Sequence, residues 1–263
     1  MSSYIENARE FWDDQAGDAA WAVLSDPEKR DGKWDAEEFY SAGRSEISTL
    51  FDFLEPTLGS RIGPFERALD FGCGIGRLTQ ALGSHAKQSV GVDISVEMVK
   101  QAREMNSHEN VVFHDNAVDD LGLFDSETFD FIYSSITLQH INPEASVNYL
   151  REFARISKPG GLIVFQLPSQ THQSRFGRAK QLMKNRLLVN RLLCKLLKLD
   201  GHELHAVSEK KVVRLFESLD CALHDVSYTN STLPDFNGKL EILSEKPDYH
   251  YVSRQYVFQK NPG

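Results

Sequence analysis

Short apolar runs alternate with amphipathic stretches between residues 67 and 167, and this alternation restricts the possible folds more than any other feature. The apolar runs are typical of buried strands and cover residues 68–71, 89–92, 111–113, 129–133 and 162–167. Three stretches with helical spacing follow strands in this region, at residues 77–83, 96–105 and 144–156. The alternation predicts an α/β protein with a mostly parallel sheet whose two faces are covered by helices.

Two flanking regions complete the predicted architecture. Residues 3–54 read as helical, acidic and rich in aromatic side chains, with a break at Asp26 and Pro27. We therefore expect an N-terminal helical lid over residues 1–60 and a main domain over residues 61–263. A further helix at 209–219 and strands near 222–228 and 251–259 are expected to complete the main domain.

Composition argues against several classes of protein. The 263 residues carry a formal charge of −9, which disfavours a protein that grips nucleic acid phosphates. The cysteines, Cys73, Cys194 and Cys221, show neither disulfide nor zinc-ligand spacing. Residues 1–14 lack an apolar core, and nowhere do about 18 uncharged apolar residues occur together. The expectation is a soluble, cytoplasmic protein.

One segment reverses the charge of the chain. Residues 175–198 hold eight basic residues and no acid, so the remainder carries −17 against a total of −9. On a helical wheel, five of these cations lie on one arc and six apolar residues lie opposite, which predicts a basic amphipathic helix within 175–199. It would pack as a lid on the protein, lie on an anionic membrane surface, or bind a partner or nucleic acid.

A glycine-rich loop follows the first predicted strand and opens a helix. Gly72, Gly74 and Gly76 follow Asp70, and an acid at that position disfavours a nearby pyrophosphate but suits an ammonium group. Asp93 stands 21 positions after Gly72 at the end of the second strand, where a carboxylate can accept hydrogen bonds from both ribose hydroxyls. A ligand with a ribose, an amino acid end and no phosphate is S-adenosylmethionine.

The blocks around this loop resemble the class I S-adenosylmethionine-dependent methyltransferases of the small-molecule type. Four blocks carry the resemblance, in order, at residues 69–76, 91–95, 129–134 and 158–161. The resemblance implies a Rossmann-like fold with a sheet of seven strands, the last of them antiparallel. It also implies insertions at residues 168–206 and 229–249.

The same resemblance implies a cofactor-binding role for specific residues. It places Gly72 and Gly74 beside the methionine part, Asp70 near its ammonium, Asp93 on the ribose and Ile94 against the adenine. At the adenine edge it leaves open whether Asp115 or Asn116 binds the amine, with Ala117 in the same loop. Two further candidates for the cofactor site are Ser135, after the fourth strand, and Arg44, for the cofactor carboxylate; the alternative for Arg44 is an ordinary surface arginine.

His140 is the candidate general base, because a neutral imidazole can take a proton from a hydroxyl group. The alternative is a structural turn in which His140 packs or caps the helix that starts near Asn142. The Asn-Pro-Pro-aromatic motif of nucleobase N-methylation and the Pro-Cys nucleophile of cytosine methylation do not occur at this position. No histidine shows metal-ligand spacing with an acidic partner, so a metal-independent reaction is expected.

These observations predict methyl transfer to a small-molecule or lipid-linked acceptor, at a hydroxyl group. Two alternatives stay open. One is C- or N-methylation of a natural-product or quinone-like ring, and the other is a non-catalytic protein that binds S-adenosylmethionine. Nucleic acid is an unlikely partner on the charge argument, and sequence does not indicate an oligomeric state.

Overall fold

The computed structural model describes residues 3–24, 27–171, 204–233, 236–249 and 251–263. The α-helices in these ranges are α1 (Ser3–Gln15), α2 (Ala19–Val23), α3 (Ala36–Leu58), α4 (Arg77–Gly83), α5 (Val96–Glu104), α6 (Pro143–Ile156) and α7 (Glu209–Ser218). The strands are β1 (Phe65–Phe71), β2 (Ala86–Asp93), β3 (Val111–Asp115), β4 (Phe129–Ser134), β5 (Ser157–Thr171), β6 (Cys221–Thr229), β7 (Ile242–Leu243) and β8 (Tyr251–Lys260).

The described strands form one sheet in the order β3-β2-β1-β4-β5-β8-β6-β7. Strands β1 to β5 are parallel, and β8 runs antiparallel between β5 and β6. The prediction of a mostly parallel α/β sheet with an antiparallel last strand is therefore confirmed. The chain order reverses between β1 and β4, which opens a crevice at the carboxyl ends of these strands.

The predicted number of seven strands is wrong, because the sheet has eight within the described ranges. The additional strand, β7, has two residues, too few to produce a periodic pattern. Asn230 holds it against β6, since the Asn230 side chain accepts a hydrogen bond from Glu241 N at 3.0 Å and donates one to Lys239 O at 2.9 Å. Residues 172–203, which contain the whole of the predicted basic helix, lie outside the described residues.

Both faces of the sheet are buried by helices. On one face, α6 and α7 contribute Leu150, Phe153 and Phe216 to a cluster with the sheet. On the other face, α3 and α4 contribute Leu50 and Leu82. Helix α3 therefore belongs to the core of the molecule, although it lies within the predicted lid of residues 1–60. Whether that region moves as a lid stays a prediction.

Capping residues fix the helices that border the crevice. The Asn142 side chain accepts hydrogen bonds from Glu144 N and Ala145 N, and Pro143 occupies the first turn of α6. Ser95 caps α5 by accepting from Met98 N. These caps place the starts of α5 and α6 beside the ends of β2 and β4.

Gly43 allows α3 to approach α4 closely, and its substitution tests this packing. A Cβ at Gly43 would lie 2.5 Å from Arg77 O, and Arg77 is buried and fixed. We expect Gly43→Ala to destabilise the protein, because overpacking costs about 1–3 kcal/mol and outweighs a helix-propensity gain of about 1 kcal/mol. Urea denaturation measures this. The control is Gly17→Ala, where a Cβ meets nothing within 4 Å; equal stability of the two variants would contradict the packing argument.

Candidate functional site

The glycine-rich loop between β1 and α4 forms the floor of the crevice. Gly72 N and Cys73 N both donate hydrogen bonds to Val92 O, at 2.8 and 3.1 Å, so the loop turns back on β2. Gly72 has a φ of 77°, a conformation that favours glycine. A Cβ at this position would also lie 2.1 Å from Thr137 Cγ2. Glycine is required here because the chain turns sharply directly beneath Thr137.

Asp93 connects the end of β2 to this loop. Its Oδ2 accepts a hydrogen bond from Gly74 N at 2.8 Å, and its Oδ1 accepts one from Ser95 N at 2.9 Å. Burial raises the pKa of the Asp93 carboxyl above its ordinary value, and the backbone N–H donors of Ser95 and Gly74 oppose that rise. Each carboxylate oxygen keeps a further lone pair, so Asp93 can accept hydrogen bonds from a ligand as well.

A cavity of about 360 Å³ lies above the loop and Asp93. Its size is in the range of small-molecule binding sites. Most of its wall is apolar or aromatic. The wall residues come from α1, α2, α5, α6, the ends of β1 and β2, the loops after β1, β2, β3, β4 and β6, and the segment before α7: Tyr4, Ile5, Ala8, Trp12, Ala22, Val23, Phe71, Gly72, Gly74, Val92, Asp93, Ile94, Met98, Asn116, Ile136, Thr137, Gln139, His140, Ile141, Tyr149, Leu204, Ser231, Thr232, Leu233 and Phe236.

Helix α1 covers the cavity and is hydrogen-bonded on both sides of it. On the side of the glycine-rich loop, Asp13 Oδ1 accepts a hydrogen bond from Ser95 Oγ at 2.7 Å. On the opposite side, Tyr4 Oη accepts from Asn142 N at 2.7 Å. The sequence analysis did not identify Tyr4 or Trp12 as site residues. Aromatic side chains on an otherwise acidic helix were the one pattern that could have indicated them.

Six of the predicted site residues meet on the cavity wall. They are Gly72, Gly74, Asp93, Ile94, Asn116 and His140. The Asn116 side-chain amide is used within its own turn, since it donates to Asp120 O at 2.7 Å. The remaining predicted residues, Arg44, Asp70, Asp115, Ala117 and Ser135, do not line the cavity in the described part of the chain.

Four of these five residues have other partners in the structure, and the surroundings of Asp70 are described below. Arg44 is exposed on α3 and forms an ion pair with Glu37. Asp115 is exposed and pairs with Arg103 at 3.3 Å. Ser135 is buried, and its carbonyl accepts a hydrogen bond from Thr137 Oγ1 at 3.0 Å. Ala117 is half-buried. Contact of these residues with a ligand stays a prediction.

His140 closes a single 3-10 turn, Leu138–His140, at the carboxyl edge of the sheet. Its ring packs edge-to-face on Trp12, with the ring centroids 5.5 Å apart. The cap of α6 is Asn142, so His140 does not serve that function. Gln139 Nε2 lies 3.2 Å from His140 Nε2. His140 is thus a packed side chain that also faces the cavity.

Asp70 lies beneath the loop, next to a buried ion pair. Its Oδ2 accepts a hydrogen bond from Thr79 Oγ1 at 2.7 Å. Arg77 Nη1 lies 2.8 Å from Glu46 Oε2, and Tyr133 Oη donates to Glu46 Oε1 at 3.0 Å. Burial raises the pKa of Asp70 to about 7, against the opposing effects of the Thr79 hydroxyl and the Arg77 charge.

The raised pKa of Asp70 makes stability depend on pH. The folded protein holds this proton more tightly than the unfolded chain, so stability falls as the pH rises from about 4 to about 7. Asparagine keeps the acceptor for Thr79 and has no charge to lose. We expect Asp70→Asn to gain stability over wild type, by more at about pH 8 than at about pH 5, in chemical denaturation. An equal difference between Asp70→Asn and wild type at the two pH values would contradict the assignment.

Two kinds of feature are absent from the described residues. No group of three or more histidine, cysteine, aspartate or glutamate side chains there could hold a metal ion. None of the helices described is long and apolar enough to cross a membrane.

Comparison with known proteins identifies the central region. Residues 69–165 match the family model described as "Methyltransferase domain". Ubiquinone biosynthesis O-methyltransferase of Hahella chejuensis is 28% identical over 144 residues, which cover 54% of this chain and 58% of that relative. Phosphoethanolamine N-methyltransferase 3 of Arabidopsis thaliana is 30% identical over 133 residues, 50% of this chain and 26% of that protein. The alignment therefore spans less than two thirds of either relative.

Solved structures show a shared fold over nearly the whole chain. Magnesium protoporphyrin IX methyltransferase from Synechocystis PCC 6803, a structure with bound SAH, aligns with a TM-score of 0.60 at 15% identity. The alignment covers 98% of this chain and 100% of that one. Since the identity is low, this likeness concerns the fold.

Proposed function

Because residues 69–165 form a methyltransferase domain of the class I fold, we propose that the protein transfers a methyl group from S-adenosylmethionine to a small-molecule acceptor. The observation that carries this proposal is the position of the Asp93 carboxylate on the cavity wall, where it is hydrogen-bonded to Gly74 N beside Gly72. Methyl transfer from a sulfonium is an in-line displacement, so alignment of the two reactants supplies most of the rate.

The residues present fit this cofactor. Asp93 offers two acceptor oxygens to the hydroxyls of a ribose, and Ile94 and Met98 offer an apolar surface to a base. Gly72 and Gly74 let the amino acid part approach the backbone without a side chain in between. When bound, the cofactor supplies an electrophilic methyl group; the chain positions it and excludes water.

Binding of the cofactor tests this site directly. We expect Asp93→Ala to weaken S-adenosylmethionine binding by about tenfold or more, because lost hydrogen bonds to a charged group are worth about 1.5–3 kcal/mol. Asp52→Ala, which removes an exposed carboxylate on α3, should bind as wild type does. Calorimetric titration measures both, and denaturation curves establish that the variants fold. Unchanged affinity in Asp93→Ala would contradict the proposed site.

A hydroxyl group is the proposed acceptor, and His140 is its proposed base. The Gln139 amide nitrogen only donates, so the lone pair of the neutral His140 ring lies on Nε2 and accepts that amide hydrogen. A hydroxyl of the methyl acceptor would take the place of the amide to reach this lone pair. A nitrogen with a lone pair can accept the hydroxyl proton. The wall around it is largely apolar, which suits an apolar acceptor. The name of the Hahella relative supports O-methylation. A lipid-linked acceptor and a membrane role for residues 175–199 stay predictions.

Turnover tests the role of His140. With fractionated cell extract as the acceptor source, we expect His140→Ala to lower the rate of S-adenosylhomocysteine release by about 10²–10⁴-fold, the usual contribution of a general base. Cofactor affinity should not change. His224→Ala is the matched control, since His224 lies on β6 and contacts Gln259. An unchanged rate in His140→Ala would exclude the base.

The product distinguishes the alternatives. A product methylated on carbon or nitrogen would favour the C- or N-methyltransferase alternative over O-methylation. Cofactor binding without turnover on any fraction would favour the non-catalytic alternative.

A further inference from the structure

A chain of buried polar side chains connects the centre of the sheet to the cavity. Its members are Gln166 on β5, Ser253 on β8, Thr229 at the end of β6, and Ser231 in the following loop; we call it the polar chain. Ser231 is 5% exposed and the others are fully buried. The successive distances are 2.6 Å from Gln166 Nε2 to Ser253 Oγ, 2.8 Å from Ser253 Oγ to Thr229 Oγ1, and 3.1 Å from Thr229 Oγ1 to Ser231 Oγ.

The direction of the polar chain is set at Gln166. A backbone N–H can only donate, and Ile136 N donates to Gln166 Oε1 at 3.1 Å. The amide nitrogen of Gln166 must then point the other way, where it donates to Ser253 Oγ and to Gln139 Oε1. The two orientations of this side-chain amide are therefore not equivalent, because the reverse one would set two donors against each other.

Hydrogen-bond counting then fixes the hydroxyl groups. Either hydroxyl of the Ser253–Thr229 pair can donate, but Ser253 already accepts from Gln166 and has Thr229 Oγ1 as its remaining acceptor in the described structure. When the Ser253 hydroxyl donates to Thr229 Oγ1, the Thr229 hydroxyl donates in turn to Ser231 Oγ. This direction satisfies each buried hydroxyl, whereas the opposite direction leaves the Ser253 hydrogen without an acceptor.

Ser231 is the last member of the polar chain and lies on the cavity wall. Its Oγ is already an acceptor, so its own hydrogen is available to a ligand. We propose that Ser231 donates a hydrogen bond to an oxygen atom of the methyl acceptor, and that the polar chain makes this position selective for a hydrogen-bond-accepting group. This inference rests on the proposed methyl transfer and specifies its substrate class.

The charged residues on the cavity wall restrict the proposed substrate class further. The part of the cavity wall that the structure describes has no lysine or arginine, and Asp93 is its one carboxylate. An anionic group at Ser231 would therefore find no lysine or arginine among these residues, so an uncharged carbonyl, ether or ring oxygen is favoured. The substrate class is an apolar molecule with such an oxygen, in addition to the atom that receives the methyl group.

A matched pair of probes tests the selectivity without turnover. Para-hydroxyacetophenone and para-ethylphenol have nearly the same shape, and the former has a carbonyl oxygen where the latter has a methylene group. We expect the protein saturated with S-adenosylhomocysteine to bind the ketone about tenfold more tightly in calorimetric titration, as one buried donor left unsatisfied costs about that factor. Equal binding of the two probes, or binding of neither, would overturn the proposal.

Two variants distinguish the contribution of the Ser231 donor from that of the rest of the polar chain. Ser231→Ala removes the donor, so both probes should bind equally. Gln166→Glu replaces the donating amide by an acceptor that faces the Ile136 N–H, Ser253 and Gln139, so the polar chain reverses and the ketone should lose its advantage. Ser169→Ala, a buried hydroxyl away from the cavity, should keep the preference of wild type. A tenfold preference that persists in Ser231→Ala or in Gln166→Glu would overturn the proposal.

The same titrations distinguish failure of the proposed function. S-adenosylhomocysteine binding is measured first for each protein. Loss of that binding in wild type would contradict the cofactor site, whereas retained binding without probe preference would contradict the polar chain alone. Retained binding in the variants also shows that their site is folded.

Discussion

The buried ion pair between Arg77 and Glu46 is the interaction on which the site depends. Arg77 begins α4 directly after the glycine-rich loop, and Glu46 lies in the middle of α3. A buried charge without its partner is strongly unfavourable, so the two helices are held together as a unit. Tyr133 adds β4 to this unit through Glu46, and Tyr40 fastens α3 to the loop by donating to Ile75 O at 3.0 Å. The loop is therefore positioned from both sides.

The features that sequence predicted are those encoded by local patterns. Apolar runs located β1 to β6 and β8, although β6 is mostly half-buried or exposed. The glycine-rich loop and Asp93 were found because their spacing follows from one strand, one turn and the next strand. Strand β7 was missed because Asn230 holds it in place, and two residues carry no period. The Glu46–Arg77 pair was missed because the two residues are distant in sequence and meet only when α3 packs on α4.

The cavity combines features encoded by local sequence patterns with features that form only when distant segments pack together. Its floor consists of Gly72, Gly74 and Asp93, all within one local motif, and sequence reasoning identified all three. Its other walls come from α1, the 3-10 turn at His140 and the loop after β6, which are brought together by the sheet. Tyr4, Trp12 and Ser231 therefore could not be assigned from spacing. The half of the cavity that we propose for the methyl acceptor is a product of topology, which explains why sequence indicated the cofactor more clearly than the acceptor.

The position of β8 also has a consequence for the order of events during synthesis. Strands β6 and β7 leave the ribosome before β8, yet they join the sheet only through it. Until β8 is made, the edge of β5 has unpaired N–H and C=O groups, and Gln166 lacks Ser253 as a partner. The nascent chain can form the glycine-rich loop early, but the acceptor half of the cavity assembles only when β8 closes the sheet. The ability to bind the proposed methyl acceptor is thus acquired late, in the same step that protects the exposed edge of β5 from other chains.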